Sequence, residues 1–139
     1  VIILDTNVVS ELMKHSPSPV VVAWMSEQTP DEIFTTTITM AEILYGIEVL
    51  PNGKRRDGLR REASATFAED FAHRILFFDE GAAGMFAVIA AARRTLGRPI
   101  SNFDAQIVAI ARTHAATLAT RNTGDFEGCG VRLINPWKA

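Results

Sequence analysis

The sequence predicts an α/β protein of three layers, with a central parallel sheet of four to five strands and helices on both faces. Two observations carry that expectation. Short apolar, β-branched runs alternate along the chain with longer segments whose apolar residues recur at helical spacing. The 139 residues, 47% hydrophobic and 22% charged, suit one globular domain that buries roughly two thirds of its unfolded surface. Strands that alternate with helices become parallel neighbours. No repeat, low-complexity tract or linker interrupts residues 1–139, so a single domain is expected.

The first strand is the apolar run Val1, Ile2, Ile3, Leu4, too short for an amphipathic helix. Asp5 stands where it stops, and Val8, Val9, Leu12 and Met13 then mark a helix. In a parallel sheet, strand carboxyl ends open onto the ligand crevice, so Asp5 occupies a functional address, although it could also cap the helix behind it. After a Ser-Pro-Ser-Pro turn at 16–19, residues 20–25 form a second, strongly apolar helix. Residues 33–37 read as the second strand, and Thr39 as the N-cap of a helix over 40–50 that Pro51-Asn52-Gly53 breaks.

Lys54, Arg55, Arg56, Arg60 and Arg61 open a helix running to about His73, with Leu59, Ala63, Thr66, Phe67 and Phe71 as its stripe. A charge run of this kind is ordinarily a solvated face; its other use is a patch for RNA phosphates or a partner chain. Residues 75–78 read as the third strand. An alanine-rich helix over 82–96 packs through Met85, Phe86, Ile89 and Leu96. A helix from Ser101 to His114 buries Phe103, Ile107, Ile110 and Ala111. Residues 117–120 and 131–134 supply the last two strands, with the polar loop 121–126 between them.

Composition narrows the chemistry. The net charge of −2 gives no overall field for nucleic acid, so a polyanion must meet a local basic patch or metal ions. One cysteine, Cys129, excludes an intrachain disulfide and a cysteine-built zinc site, and His15, His73 and His114 lack ligand spacing. No run is long enough to span a membrane and no signal-like start is present, so a cytoplasmic protein with no membrane partner is expected.

Four further polar positions fall beside Asp5 in such a sheet. Glu42 and Asp104 lie in the first turns of their helices, and Asn122 and Asp125 lie just past the fourth strand. Each has a plain use: Thr39-x-x-Glu42 and Ser101-x-x-Asp104 are capping patterns, and Asn122 and Asp125 form turns. A cap gains nothing, however, from facing other acids. Carboxylates brought together repel unless they hold protons or a cation. Oxygen ligands without His or Cys suit Mg²⁺ or Mn²⁺, and such ions can activate water against a phosphodiester.

Four stretches together resemble the motifs of PIN-domain ribonucleases, in order and across essentially the whole chain. They are Leu4-Asp5-Thr6-Asn7, Thr39-Met40-Ala41-Glu42-Ile43-Leu44-Tyr45-Gly46, Phe103-Asp104-Ala105-Gln106-Ile107-Val108-Ala109-Ile110-Ala111, and Leu118-Ala119-Thr120-Arg121-Asn122-Thr123-Gly124-Asp125-Phe126. The similarity is strongest to VapC-type toxins of the FitB-like branch, where the Asn135-Pro136-Trp137 ending also fits. The resemblance implies a PIN-like fold and Mg²⁺- or Mn²⁺-dependent cleavage of RNA. It also implies a homodimer and a DNA-binding antitoxin of the VapB or FitA kind, which blocks the site in a higher assembly. On this match Asp5, Glu42 and Asp104 hold metal; the fourth acid of the family stands in some members at the place of Asn122 and in others at that of Asp125, and here Asp125 is expected to serve, with Asn122 as a polar neighbour. Thr6 and Thr120 match hydroxyls that orient a carboxylate or the attacking water. The basic segment 54–61 falls where the family has an arm for dimer and antitoxin contacts.

Three other readings compete. A dehalogenase-like phosphatase needs a second acid where Asn7 stands, and a dinucleotide-binding domain needs a Gly-rich loop after the first strand. The third is a non-catalytic module of the same fold that binds an antitoxin or RNA without cutting it.

Overall fold

A computed structural model describes residues 1–139. Five parallel strands, β1 (Ile2–Leu4), β2 (Ile33–Thr36), β3 (Ile75–Leu76), β4 (Thr117–Ala119) and β5 (Arg132–Ile134), form one sheet in the order β3-β2-β1-β4-β5. Six helices cover it: α1 (Thr6–Leu12), α2 (Pro19–Ser26), α3 (Thr37–Glu48), α4 (Lys54–Ala65), α5 (Glu80–Thr95) and α6 (Asn102–Thr113). A π-helical turn, Thr66–Asp70, extends α4, and a 3-10 turn, Thr123–Phe126, follows β4.

Alternation within β1 divides the core. Ile3 faces a cluster with Ala82, Ile89, Ile107, Ile110 and Leu118, covered by α5 and α6. Leu4 faces Val8, Val21, Trp24, Ile43, Ala63 and Phe67, covered by α1 to α4. Successive side chains of a strand point to opposite faces, so two adjacent residues anchor both layers. The strand order runs one way from β1 through β2 to β3 and the other way from β4 to β5. The reversal therefore lies between β1 and β4, where an open α/β sheet forms its crevice. Asp5 and Thr120 sit at that point, one residue beyond each strand.

Several expected boundaries shift. Helix α3 begins at Thr37, three residues earlier than the Thr39 cap implies, because the Thr36 hydroxyl accepts the Thr39 amide at 3.1 Å. The third strand is only two residues long, and Phe77, expected within it, is exposed. Leu96 and Phe103, expected to pack inward, are also exposed. Leu96 caps the end of α5, and Phe103 lies in the first turn of α6, so both stand at helix ends. The basic helix keeps its expected stripe, with Ala63, Phe67 and Phe71 buried.

Candidate active site

Asp5 is the fixed point of the site. It is 4% exposed, and both of its oxygens are held. Oδ1 accepts the Thr6 amide at 2.8 Å, as an N-cap does. Oδ2 accepts the Thr120 hydroxyl at 2.8 Å and the Asn7 amide nitrogen at 3.3 Å. The capping role and the site role therefore coexist in one carboxylate. Thr120 is fully buried, and its oxygen also accepts the Asn122 amide at 3.1 Å. Asn7 reaches across β1 and β4 from the other side, accepting the Arg121 amide at 3.1 Å. Asn7 belongs to the first motif but is not among the residues expected in the site.

Glu42 has lost the capping role that its spacing suggested. It lies in the second turn of α3, and its Oε1 accepts the Thr6 hydroxyl at 2.9 Å. The Thr6 oxygen lies 3.1 Å from the Thr39 hydroxyl. With the Thr6 proton committed to Glu42, Thr39 must donate to Thr6, and a two-hydroxyl relay aims the carboxylate.

Asp104 keeps its expected place. Ser101 caps α6 by accepting the Asp104 amide at 3.2 Å. Asp104 lines a crevice of about 240 Å³ with Asp125, Ser101, Pro99, Ile100 and Arg93. Asp125 sits in the 3-10 turn, its amide bonded to the Asn122 carbonyl at 3.0 Å. Asn122 begins that turn, so it acts here through its backbone as well as its position.

Arg93 is the residue that sequence reasoning missed. It is 5% exposed and donates to the carbonyls of Arg98 at 2.7 Å, Asp125 at 2.8 Å and Glu127 at 3.4 Å, and to the Cys129 sulfur at 3.2 Å. It thus ties the segment before Asp104 to the turn carrying Asp125. The available signal was its spacing, four residues after Ile89 on the apolar stripe of α5. A cation at that position has to find partners inside.

The acids act on one another electrically. Burial pushes Asp5 up to about 6, against opposition from its hydrogen bonds to Thr120 and Thr6, and the charges of Asp104 and Glu42 add to the rise. Glu42 is raised by burial and by Asp104, with the Thr6 bond opposing. Asp104 is raised by burial and by Asp125, with Ser101 opposing. None of the four is a member of an ion pair; the three pairs present are Lys14–Glu11, Arg60–Glu48 and Arg60–Asp57.

An all-oxygen donor set suits a hard divalent cation such as Mg²⁺ or Mn²⁺. The acids interact in a chain, Asp5 with Glu42 and Asp104, then Asp104 with Asp125. No three of them stand close enough in this structure to grip one ion together, a separation in keeping with uncompensated like charges. The residues fit such an ion in chemistry and charge.

Comparison with known proteins agrees with this architecture. The model of the PIN domain family matches residues 2–128. Toxin FitB of Neisseria gonorrhoeae is 39% identical, over 98% of this chain and 98% of its own. The VapC ribonuclease Y4jK of Sinorhizobium fredii is 38% identical, over 99% and 98%. A solved structure of FitAB bound to an IR36 DNA fragment superposes with a TM-score of 0.91 at 39% identity, covering 99% of this chain and 96% of that one. With the sheet, the crevice and these relatives in agreement, the chain belongs to the PIN-domain family, in the group of FitB and VapC toxins.

Proposed function

We propose that this protein is a Mg²⁺- or Mn²⁺-dependent endoribonuclease, the toxin of a toxin–antitoxin pair, hydrolysing RNA phosphodiesters with an activated water. The observation that supports this reading best is the gathering of four acids at the sheet's switch point with no cation paired to any of them. Asp5, Glu42, Asp104 and Asp125 would hold the metal. When bound, such ions lower the pKa of water and offset the charge on the scissile phosphate.

The chain's own groups prepare that site. Thr120 and the Thr6 amide hold the two Asp5 oxygens in one orientation, and the Thr6 hydroxyl does the same for Glu42. Arg93 holds the Asp125 turn by its backbone and leaves the carboxylate free. Asn122 neighbours the fourth acid without adding charge. Arg121, stacked 4.9 Å over the Trp137 ring, supplies a cation at the rim for the RNA backbone.

The likeness to FitAB bound to DNA supports a partner antitoxin and a complex that meets DNA; an antitoxin that also covers the site is part of the same proposal. A homodimer, a cytoplasmic location and contacts through the arm at 54–61 belong to the same proposal. In that arm Arg60 is already tied to Glu48 at 2.6 Å, so Lys54, Arg55 and Arg61 are the cations left for a partner. No helix is long and apolar enough to cross a membrane.

A second reading, a module that binds without cutting, draws on the separation of the acids and on the amide at Asn122. Thermal unfolding with increasing Mn²⁺ separates the two. A ligand that binds only the folded state raises the melting temperature with concentration, and Asp5→Asn should abolish the rise. Purified protein should cut structured RNA, and Asp5→Ala or Asp104→Ala should reduce the rate by about a thousandfold. A flat melting curve and no cleavage would leave the binding module.

A further inference from the structure

Beside the acids, α3 and α6 enclose a second groove of about 600 Å³, lined by Ala41, Glu42, Tyr45 and Phe103. Its two rings are open to solvent, Tyr45 at 70% and Phe103 at 54% exposure. Two exposed rings lining one groove form an apolar surface of the kind that ligand sites present, unlike the lone exposed ring of Phe77. Tyr45 lies three residues after Glu42 on α3, and Phe103 directly precedes Asp104 on α6.

We infer that Tyr45 and Phe103 form a stacking subsite for one unpaired nucleobase next to the scissile phosphate. The occupant follows from the chemistry of the groove. Its wall holds two rings and the Ala41 side chain, which suit a base, together with the Glu42 carboxylate and no cation, so a phosphate has no partner in it. Glu42 belongs both to the groove and to the acid cluster, so a base seated here belongs to a nucleotide adjoining the reacting one. A duplex keeps its bases stacked on one another and cannot offer one to these rings, so the subsite selects loops and single strands. The two rings read no base edge, which makes the subsite tolerant of base identity.

The inference rests on the nuclease reading, and its test is separable from it. An uncleavable 2′-O-methyl oligoribonucleotide is titrated against the full chain and against Tyr45→Ala, Phe103→Ala, Tyr45→Phe and Phe103→Tyr in Mn²⁺. Both rings are exposed, so truncation leaves the core intact. Each alanine variant should weaken binding by about tenfold, the scale of one lost base stack. The aromatic exchanges should bind as the parent does, and an oligomer lacking its bases should bind the parent and the alanine variants equally. Unchanged affinity in both alanine variants, or no binding by the parent, overturns the subsite. So does a fall in molecular mass by light scattering in those variants, which would make the rings a contact between two copies of the chain. If the parent binds with the expected dependence on the rings but cuts no RNA, the subsite stands and the nuclease reading fails.

Discussion

Glu11 and Asp5 are both buried acids on the same short stretch of chain, at 7% and 4% exposure, yet their electrical situations are opposite. Glu11 meets the Lys14 ammonium at 2.9 Å and the Ser18 amide at 3.0 Å, and these hold it below the ordinary glutamate range. Asp5 has neutral donors only and is pushed up to about 6. The first carboxylate is completed by its own chain. The second is oriented but left uncompensated, and so are its neighbours. The difference separates two kinds of buried acid: Glu11 has a cation within its own chain, whereas the acids at the crevice have none, which is the contrast on which the proposed metal site rests. Arg93 sharpens the contrast, because the one buried cation beside the crevice gives its donors to carbonyls and a sulfur.

The largest expected effect comes from removing that cation. Arg93→Ala strands several buried acceptors and should cost about 4 kcal/mol in urea unfolding, with Arg93→Lys recovering part of it. If Arg93 served mainly to neutralise the acids, the variant would instead unfold more easily only above the pH at which they ionise.

Next is the pH dependence of the metal-free protein. Asp5 titrates near 6 when folded and near 3.8 when free, so the folded state binds the extra proton between those values. Its stabilisation is complete below about pH 4 and is lost as pH rises through about 6, a change of up to about 3 kcal/mol. Glu42 and Asp104 are raised in the same direction. Asp5→Asn should flatten much of the fall, and excess Mn²⁺ should reverse its sign, because metal binding releases those protons. Melting temperatures from pH 4 to 8, with and without Mn²⁺, measure both. A metal-free protein that grows more stable over this range would break the comparison.

A smaller change is Thr120→Val, which removes one bond to Asp5 and leaves the Asn122 amide without its acceptor. It should cost about 1–2 kcal/mol and move the Asp5 titration upward, as read by carboxyl NMR. The smallest is Lys14→Ala. The Lys14 side chain is 60% exposed, so water takes over most of its role; the melting temperature should barely move, while the Glu11 titration rises toward its usual range.

Much of this was legible in the sequence. Asp5 was placed by the end of an apolar run, and Asp104 by a Ser-x-x-Asp start that the structure keeps. Glu42 shows where pattern reasoning stops. Thr35, Thr36, Thr37 and Thr39 offer several hydroxyls to one helix start, and only tertiary packing chooses Thr36. That choice moves Glu42 into the second turn and frees it for Thr6. Arg93 was hidden by the opposite habit, since an Arg-Arg pair near a helix end reads as solvent-facing. Phe103 fitted the period of its helix, but period says nothing of where the layer beneath it ends.

The bond from Thr120 to Asp5 spans 115 residues of sequence. A chain still emerging from the ribosome carries its first carboxylate long before the hydroxyl that fixes it has been made. Assembly of the crevice is therefore a late event in biosynthesis, and a truncated product lacking β4 has no means of completing it.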